Sequence, residues 1–175
     1  SVESSSQRIN KLVEDLLSFS SSGKFPEIKS PTDLNQVLIV VENNISDLIE
    51  SKSAIINVKN TLPSLMVPES AVIILLQNLL SNAIKFSRKD IAPIINIDYK
   101  EEKKLHVFFV EDNGKGISKE DQTKIFKPFT RLSSDQNIQG SGLGLATCLR
   151  LVSYYKGKID LESTLGEGST FKISS

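Results

Sequence analysis

QNLLSNAIKF, residues 77–86, decides what fold this chain takes, because it sets three polar side chains on one side of an otherwise apolar helix. Asn78, Asn82 and Lys85 are spaced four and three apart, so they share a face. Pro68-Glu69 opens this helix, which is predicted to run to about Ser87. An Asn side-chain oxygen is a hard, neutral ligand suited to Mg²⁺, a cation that keeps several waters and is readily shared with phosphates; a Lys ammonium adds a point charge for the same phosphates. The three residues would serve equally as solvated or capping groups on an outer face, and the helix alone leaves both readings open.

Two segments further along bear on the choice. In EDNGKGI, 111–117, an apolar strand ends directly in Asp112, and Gly114 and Gly116 permit a tight turn with close backbone approach to a ligand. A carboxylate fixed there can accept a hydrogen bond from the exocyclic amine of adenine. Guanine presents a carbonyl instead, so preference for ATP over GTP follows from an unpaired buried charge. An ordinary Asp-Asn-Gly hairpin turn is the alternative. In GSGLGLA, 140–146, Gly140, Gly142 and Gly144 let main-chain N–H groups face an anion at a helix start, where the macrodipole adds attraction. The spacing fits neither the dinucleotide fingerprint nor the GKS/T phosphate loop, and glycines placed only for packing remain an alternative.

Around these segments the pattern is mixed. Pro31-Thr32-Asp33 starts a predicted helix over 32–50, with Leu34, Val37, Leu38, Val41, Ile45, Leu48 and Ile49 on its apolar face. EIKS at 27–30 reads as a short strand, and IINV (55–58) with SLMV (64–67) as a hairpin. INIDY (95–99) and LHVFFVE (105–111) form a second hairpin whose later strand is apolar on both faces, implying a central, buried place. Residues 112–142 are irregular and long enough for a lid. A helix follows from Ser141 to Lys156, with Gly157 as its C-cap, and KIDLES (158–163) and STFKIS (169–174) make a third hairpin. The expected fold is α/β (α+β): a two-layer sandwich of mixed sheet with helices on one face, plus an N-terminal bundle-type helix. In that helix Ile9, Leu12, Leu16 and Phe19 form a heptad-like seam that Val13 and Leu17 widen beyond a two-stranded one; a terminal helix folded on its own domain is the alternative. SSSGKFP at 20–26 separates two units, 1–22 and 23–175.

Composition narrows the function classes. Lys plus Arg and Asp plus Glu balance at 21 each, so the chain lacks the basic excess that nucleic-acid backbones or anionic membranes attract. Any phosphate must be held locally. The single cysteine, Cys148, excludes an internal disulfide and a multi-cysteine zinc site and suits a reducing, cytoplasmic setting. The apolar run VIILL at 72–76 is far shorter than the roughly 20 residues that span a bilayer, and no signal peptide opens the chain. Ser1 does not read as a natural start, so membrane anchoring of a longer parent stays open.

Taken in order, the Asn helix, the Asp-Gly loop, IFKPFTR at 125–131 and the Gly-rich helix start resemble the catalytic and ATP-binding domain of two-component sensor histidine kinases, of the GHKL superfamily. The resemblance covers about residues 27–174, including the closing GEGSTFKI, and residues 1–20, ending DLLSFS, look like the second helix of the dimerisation and phosphoacceptor hairpin. It implies ATP and Mg²⁺ as ligands: Asn82 binding metal with Asn78 assisting, Lys85 on phosphate, and Arg131 as a further phosphate contact. Asp112 would take the adenine amine in a pocket shaped by Gly114, Gly116 and Ile117, with Thr170 completing the purine contacts through a water. Phe126 and Phe129 correspond to a phenylalanine box steadying the lid. Gly140, Gly142 and Gly144 would turn backbone towards phosphate, with Leu143 and Leu145 packing beneath.

The resemblance further implies transfer of the γ-phosphoryl group to a histidine of a dimerisation domain, homodimerisation in the parent protein, and a response-regulator receiver domain as downstream partner. The acceptor histidine is missing from these residues. The only histidine, His106, lies in an extended run expected to be buried and reads as a packing residue. Related ATP hydrolases (gyrase, mismatch-repair and heat-shock chaperone ATPases) carry a Glu four residues before the metal-binding Asn; here Asn78, an amide without useful basicity, takes that place, so hydrolysis should be slow. A degenerate, purely regulatory binding module is the remaining reading, and Asn82, Lys85 and Asp112 argue against it. Tyr155 and Lys156 precede Gly157 where the family often has His-Gly, a departure expected to matter little.

Overall fold

The computed structural model describes residues 25–127 and 144–175; the expected N-terminal helix lies outside them. In chain order the elements are β1 (Thr32–Asp33), α1 (Leu34–Asn44), α2 (Ser46–Lys52), β2 (Ile55–Val58), β3 (Ser64–Leu65), α3 (Glu69–Lys85), β4 (Ile94–Glu102), β5 (Leu105–Asp112), α4 (Lys119–Gln122), α5 (Gly144–Tyr154), β6 (Lys158–Thr164) and β7 (Gly168–Ser174). The main sheet has the order β2-β4-β5-β7-β6, with β2 parallel to β4 and the other pairs antiparallel.

Strand alternation builds one side of the core. The register sets Ile97 beside Val110, Val110 beside Phe171, and Phe171 beside Leu161. Successive side chains point to opposite faces, so this row and its neighbour of Tyr99, Phe108, Ile173 and Ile159 lie on a single face. Both rows join a core with Leu34, Val37 and Val41 of α1 and Leu79, Leu80 and Ile84 of α3. α3 packs against α1 and α5, so the Asn helix is held from both sides as well as by the sheet. This is the predicted two-layer sandwich.

Several local expectations give way. EIKS forms no strand; the two-residue strand is Thr32–Asp33, followed directly by α1, where Asp33 caps the helix by accepting from Asn35 N–H at 2.9 Å. The 32–50 helix divides at Ile45 (φ −110°, ψ 20°), just after Asn43-Asn44, a pair of low helix propensity. IINV and SLMV do not pair with each other: β2 joins β4 in parallel and β3 joins β1. Asn35 directs that split, donating to Leu62 O at 2.8 Å and accepting from Leu62 N–H at 3.2 Å, which draws the chain away from a turn back onto β2. β5 is central as expected, yet among the described residues helices cover only one face of the sheet, and His106 is half-exposed, its Nδ1 2.7 Å from the Tyr99 hydroxyl. At the end of α5 the left-handed residue is Lys156 (φ 61°), not Gly157, whose N–H bonds back to Val152 O at 2.8 Å. Gly157 is small for another reason: a Cβ there would lie 2.9 Å from Ser174 O. Tyr155 also has a structural task, donating its hydroxyl to Pro26 O at 2.6 Å beside a Phe25–Tyr154 ring contact of 4.2 Å, which ties the incoming chain to α5.

Candidate functional site

Asn78, Asn82 and Lys85 of α3 are all half-buried, as befits polar groups facing a cleft inside a packed layer. Asn78 Nδ2 donates to Ile74 O, one turn back, at 3.0 Å, which fixes the amide and turns its oxygen outward. Gly144, the first residue of α5, sits against that oxygen: a Cβ on it would fall 2.9 Å from Asn78 Oδ1 and 3.8 Å from Asn82 Nδ2. Gly144 at the start of α5 and the Asn face therefore meet, although the two are 66 positions apart in sequence. Burial lowers the Lys85 ammonium pKa from its ordinary value, and among the described residues Lys85 forms no ion pair. A desolvated, unpaired cation has much to gain from a phosphate.

Asp112 closes β5 at the other side. Its Oδ1 accepts from Gly114 N–H at 2.9 Å and from Ser169 N–H at 3.3 Å. Burial pushes the carboxyl pKa up, and those two N–H groups pull part of it back. The following loop is clamped, with Lys115 N–H on Phe86 O at the end of α3 (3.0 Å) and Gly166 N–H on Lys115 O (2.6 Å). At Gly114 a Cβ would lie 2.8 Å from Phe86 O, so glycine lets the loop close on α3. Gly116, at φ 69°, packs against the end of β6, where a side chain would run into the Thr164 backbone. Ile117 and Leu145 are half-buried at the margin of the core, and Phe126 meets Phe171 edge-on at 6.3 Å.

Thr170 requires a correction. It pairs with Glu111 and Glu162, on the face of the sheet opposite Asp112, whereas Asp112 pairs with Ser169. The parity of β7 thus brings Ser169, buried at 7% exposure, to the carboxylate. Ser163 stands beside it: its Oγ accepts from Ile117 N–H at 2.8 Å and donates to Gly168 O at 2.9 Å, so the 2.7 Å contact with Ser169 is donated by the Ser169 hydroxyl. Ser169 Oγ keeps its lone pairs for a ligand or water. Sequence reading missed both serines and also Gly168, which at φ 120° lets β7 approach the Asp112 carbonyl; counting alternate residues back from Phe171 would have found Ser169. Phe129, Arg131, Gly140, Gly142 and Leu143 lie outside the described residues.

A groove of about 470 Å³ lined by Asn96, Glu111, Glu162, Glu167 and Thr170 also reaches Asp112, Ser163 and Ser169, and its run of carboxylates is the wrong charge for a polyphosphate. The α3 side suits one better. Among the described residues no group of three or more His, Cys, Asp or Glu side chains could hold a metal, and a cation at the Asn face would take its further donors from water or a ligand. Two Asn oxygens plus phosphates is a donor set that Mg²⁺ accepts and that zinc or a soft metal does not favour.

The model of the family described as histidine kinase-, DNA gyrase B-, and HSP90-like ATPase matches residues 68–175. The phytochrome-like protein Cph1 of Synechocystis sp. is 34% identical over 163 residues, covering 93% of this chain and 22% of its own length. Full-length ShkA, solved in complex with AMPPNP, superposes with a TM-score of 0.76 at 27% identity over 94% of this chain and 35% of its own. The mycobacterial sensor histidine kinase MprB shares the fold, with a TM-score of 0.70 at 21% identity over 83% of this chain and 96% of its own. The chain thus spans about a fifth of Cph1 and about a third of ShkA.

Proposed function

This chain belongs to the histidine kinase-, DNA gyrase B-, and HSP90-like ATPase family, as a histidine kinase catalytic domain, and from that membership we propose that it binds Mg-ATP and donates the γ-phosphoryl group to a histidine on a separate dimerisation domain, in two-component signalling. The observation that carries this reading is the meeting of Gly144 with Asn78 Oδ1 and the Asn82 amide, which brings a helix start against a row of hard ligands.

In this proposal Asp112 accepts the adenine amine while Ser169 Oγ, held by Ser163, supports the purine edge. Lys85 regains a charge partner in the β- or γ-phosphate. Asn82, with Asn78, would hold Mg²⁺, whose role when bound is to neutralise charge on the β- and γ-phosphates. The phosphorus–oxygen bond to the β-phosphate breaks, a phosphorus–nitrogen bond to the acceptor imidazole forms, and ADP leaves; positioning and charge stabilisation supply most of the acceleration. Water is a poor competitor, because Asn78 offers no base and its amide is committed to Ile74 O. Downstream, a response-regulator receiver domain would take the phosphoryl group. Among the described residues no helix is long and apolar enough to cross a membrane.

The test supplies a phosphoacceptor hairpin in trans with radiolabelled ATP. Labelled histidine that disappears in Asn82→Ala supports the reading. An unlabelled hairpin with ATP binding intact counts against it, and so does rapid steady hydrolysis by the chain alone.

A further inference from the structure

Directly before Asn78 lies a polar residue turned the other way. Gln77 is 5% exposed and points into the α1 interface, where its Oε1 accepts from Asn44 Nδ2 at 3.1 Å; Asn44 is 7% exposed. Among the described residues this is the one side-chain hydrogen bond between α1 and α3. The rest of the shared core is apolar, with Leu34, Val37 and Val41 from α1 and Leu80 and Ile84 from α3. Apolar contacts are weakly directional and tolerate a helix turning about its axis. A buried amide pair is not, and its best-attested use is to specify register at little or no gain in stability.

We propose that Asn44 and Gln77 are a positioning pair that fixes the rotation of α3, and through it the aim of Asn78, Asn82 and Lys85. This rests on the reading that α3 carries the ligands of Mg-ATP. Gln77 and Asn78 are adjacent, so they project about 100° apart, and holding one towards α1 sets the other towards Gly144. The lever is long. Ligand atoms sit roughly 5–6 Å from a helix axis, so a rotation of about 20° moves them by about 2 Å, well beyond the tolerance of a preorganised site. Asn44 is also the last residue of α1, immediately before the break at Ile45, which lets that turn seat its side chain on α3 independently of α2.

The experiment compares three proteins: wild type, the double variant Asn44→Leu/Gln77→Leu, and the exchanged pair Asn44→Gln/Gln77→Asn, which keeps the summed side-chain length and the bond. ATP affinity is measured with Mg²⁺ and in EDTA. The leucine pair should fold with an undiminished Tm, bind Mg-ATP roughly tenfold more weakly, and lose much less affinity for ATP in EDTA, because Asp112 is unmoved and only the Lys85 contact shifts. The exchanged pair should restore Mg-ATP binding. Unchanged Mg-ATP affinity in the leucine pair overturns the proposal; so does an equal loss with and without metal, or an exchanged pair that fails to restore. A wild type showing no gain from Mg²⁺ would sink the reading of the site itself. Positioning is then read without ligand, from the Asn78 and Asn82 side-chain amide resonances, which must shift in the leucine pair and return in the exchanged pair.

Discussion

Gly144→Ala separates stability from ligand binding in one substitution. In a helix Ala is favoured over Gly by about 0.5–1 kcal/mol, so propensity alone forecasts a more stable protein. The structure opposes this, because the new Cβ would lie 2.9 Å from Asn78 Oδ1, where ordinary contact begins near 3.4 Å. Asn78 has to turn, breaking its 3.0 Å bond to Ile74 O. That loss costs about 1 kcal/mol, leaving a net change within about 1 kcal/mol of zero and a Tm within about 4 °C of wild type. Binding should not escape so lightly: the Asn78 oxygen leaves the corner it shares with Gly144, and Mg-ATP affinity should fall by roughly tenfold, about 1.4 kcal/mol. Thermal unfolding and calorimetric titration read the two quantities independently. In an Asn78→Ala background the same substitution should weaken binding no further, since the clash is gone. A Gly144→Ala protein stabilised by about 1 kcal/mol with wild-type Mg-ATP affinity would refute the reasoning.

Other consequences follow from particular groups. Burial raises the Asp112 pKa above its unfolded value, so the folded state holds that proton more tightly; the ionised group costs stability at neutral pH, and the cost is relieved as pH falls through the raised value. Against Asp112→Asn, wild type should therefore gain relative Tm on acidification while its ATP affinity declines over the same window; parallel Tm curves would contradict this. Lys103 (φ 50°) and Lys104 (φ 68°) form a two-residue turn with both residues left-handed, a conformation that suits Asn-Gly, so Lys103→Asn/Lys104→Gly should add about 1 kcal/mol and leave ATP affinity unchanged. Urea denaturation checks it, and a loss of stability would mean the turn differs. Burial pushes the fully enclosed Cys148 thiol up to about 12, so a thiol reagent should label it only at the rate of unfolding; prompt labelling of the native protein would place α5 elsewhere.

Much of this was legible in the sequence because the informative features are local. The three-four spacing of Asn78, Asn82 and Lys85, the Asp at a strand end, and the hairpins of β4–β5 and β6–β7 each depend on a few consecutive residues. What failed depended on partners far along the chain. IINV and SLMV look alike as short apolar runs, and distant contacts keep them apart: the Asn35 clamp on Leu62, 27 positions away, and the pairing of β3 with β1. The resemblance points to Thr170, whereas the register sets Ser169 beside Asp112; a strand's face cannot be assigned until its register with β5 is known, and a shift of one residue reverses every side chain. Gly157 drew the C-cap by residue type, whereas the chain spends the left-handed position on Lys156 and keeps Gly157 small to clear Ser174. The contact between Gly144 and Asn78 joins two motifs far apart in the chain, and finding it needed the fold.

The central claim is that Asp112 selects adenine in a site completed by the Asn face of α3. Calorimetric titration of wild type and Asp112→Asn with ATP and with GTP, both in Mg²⁺, tests it most directly. Wild type should bind ATP at least about tenfold more tightly than GTP, and Asp112→Asn should lose most of that preference by weakening ATP binding. Equal affinity of wild type for the two nucleotides, or an Asp112→Asn protein that binds ATP as wild type does, would contradict it.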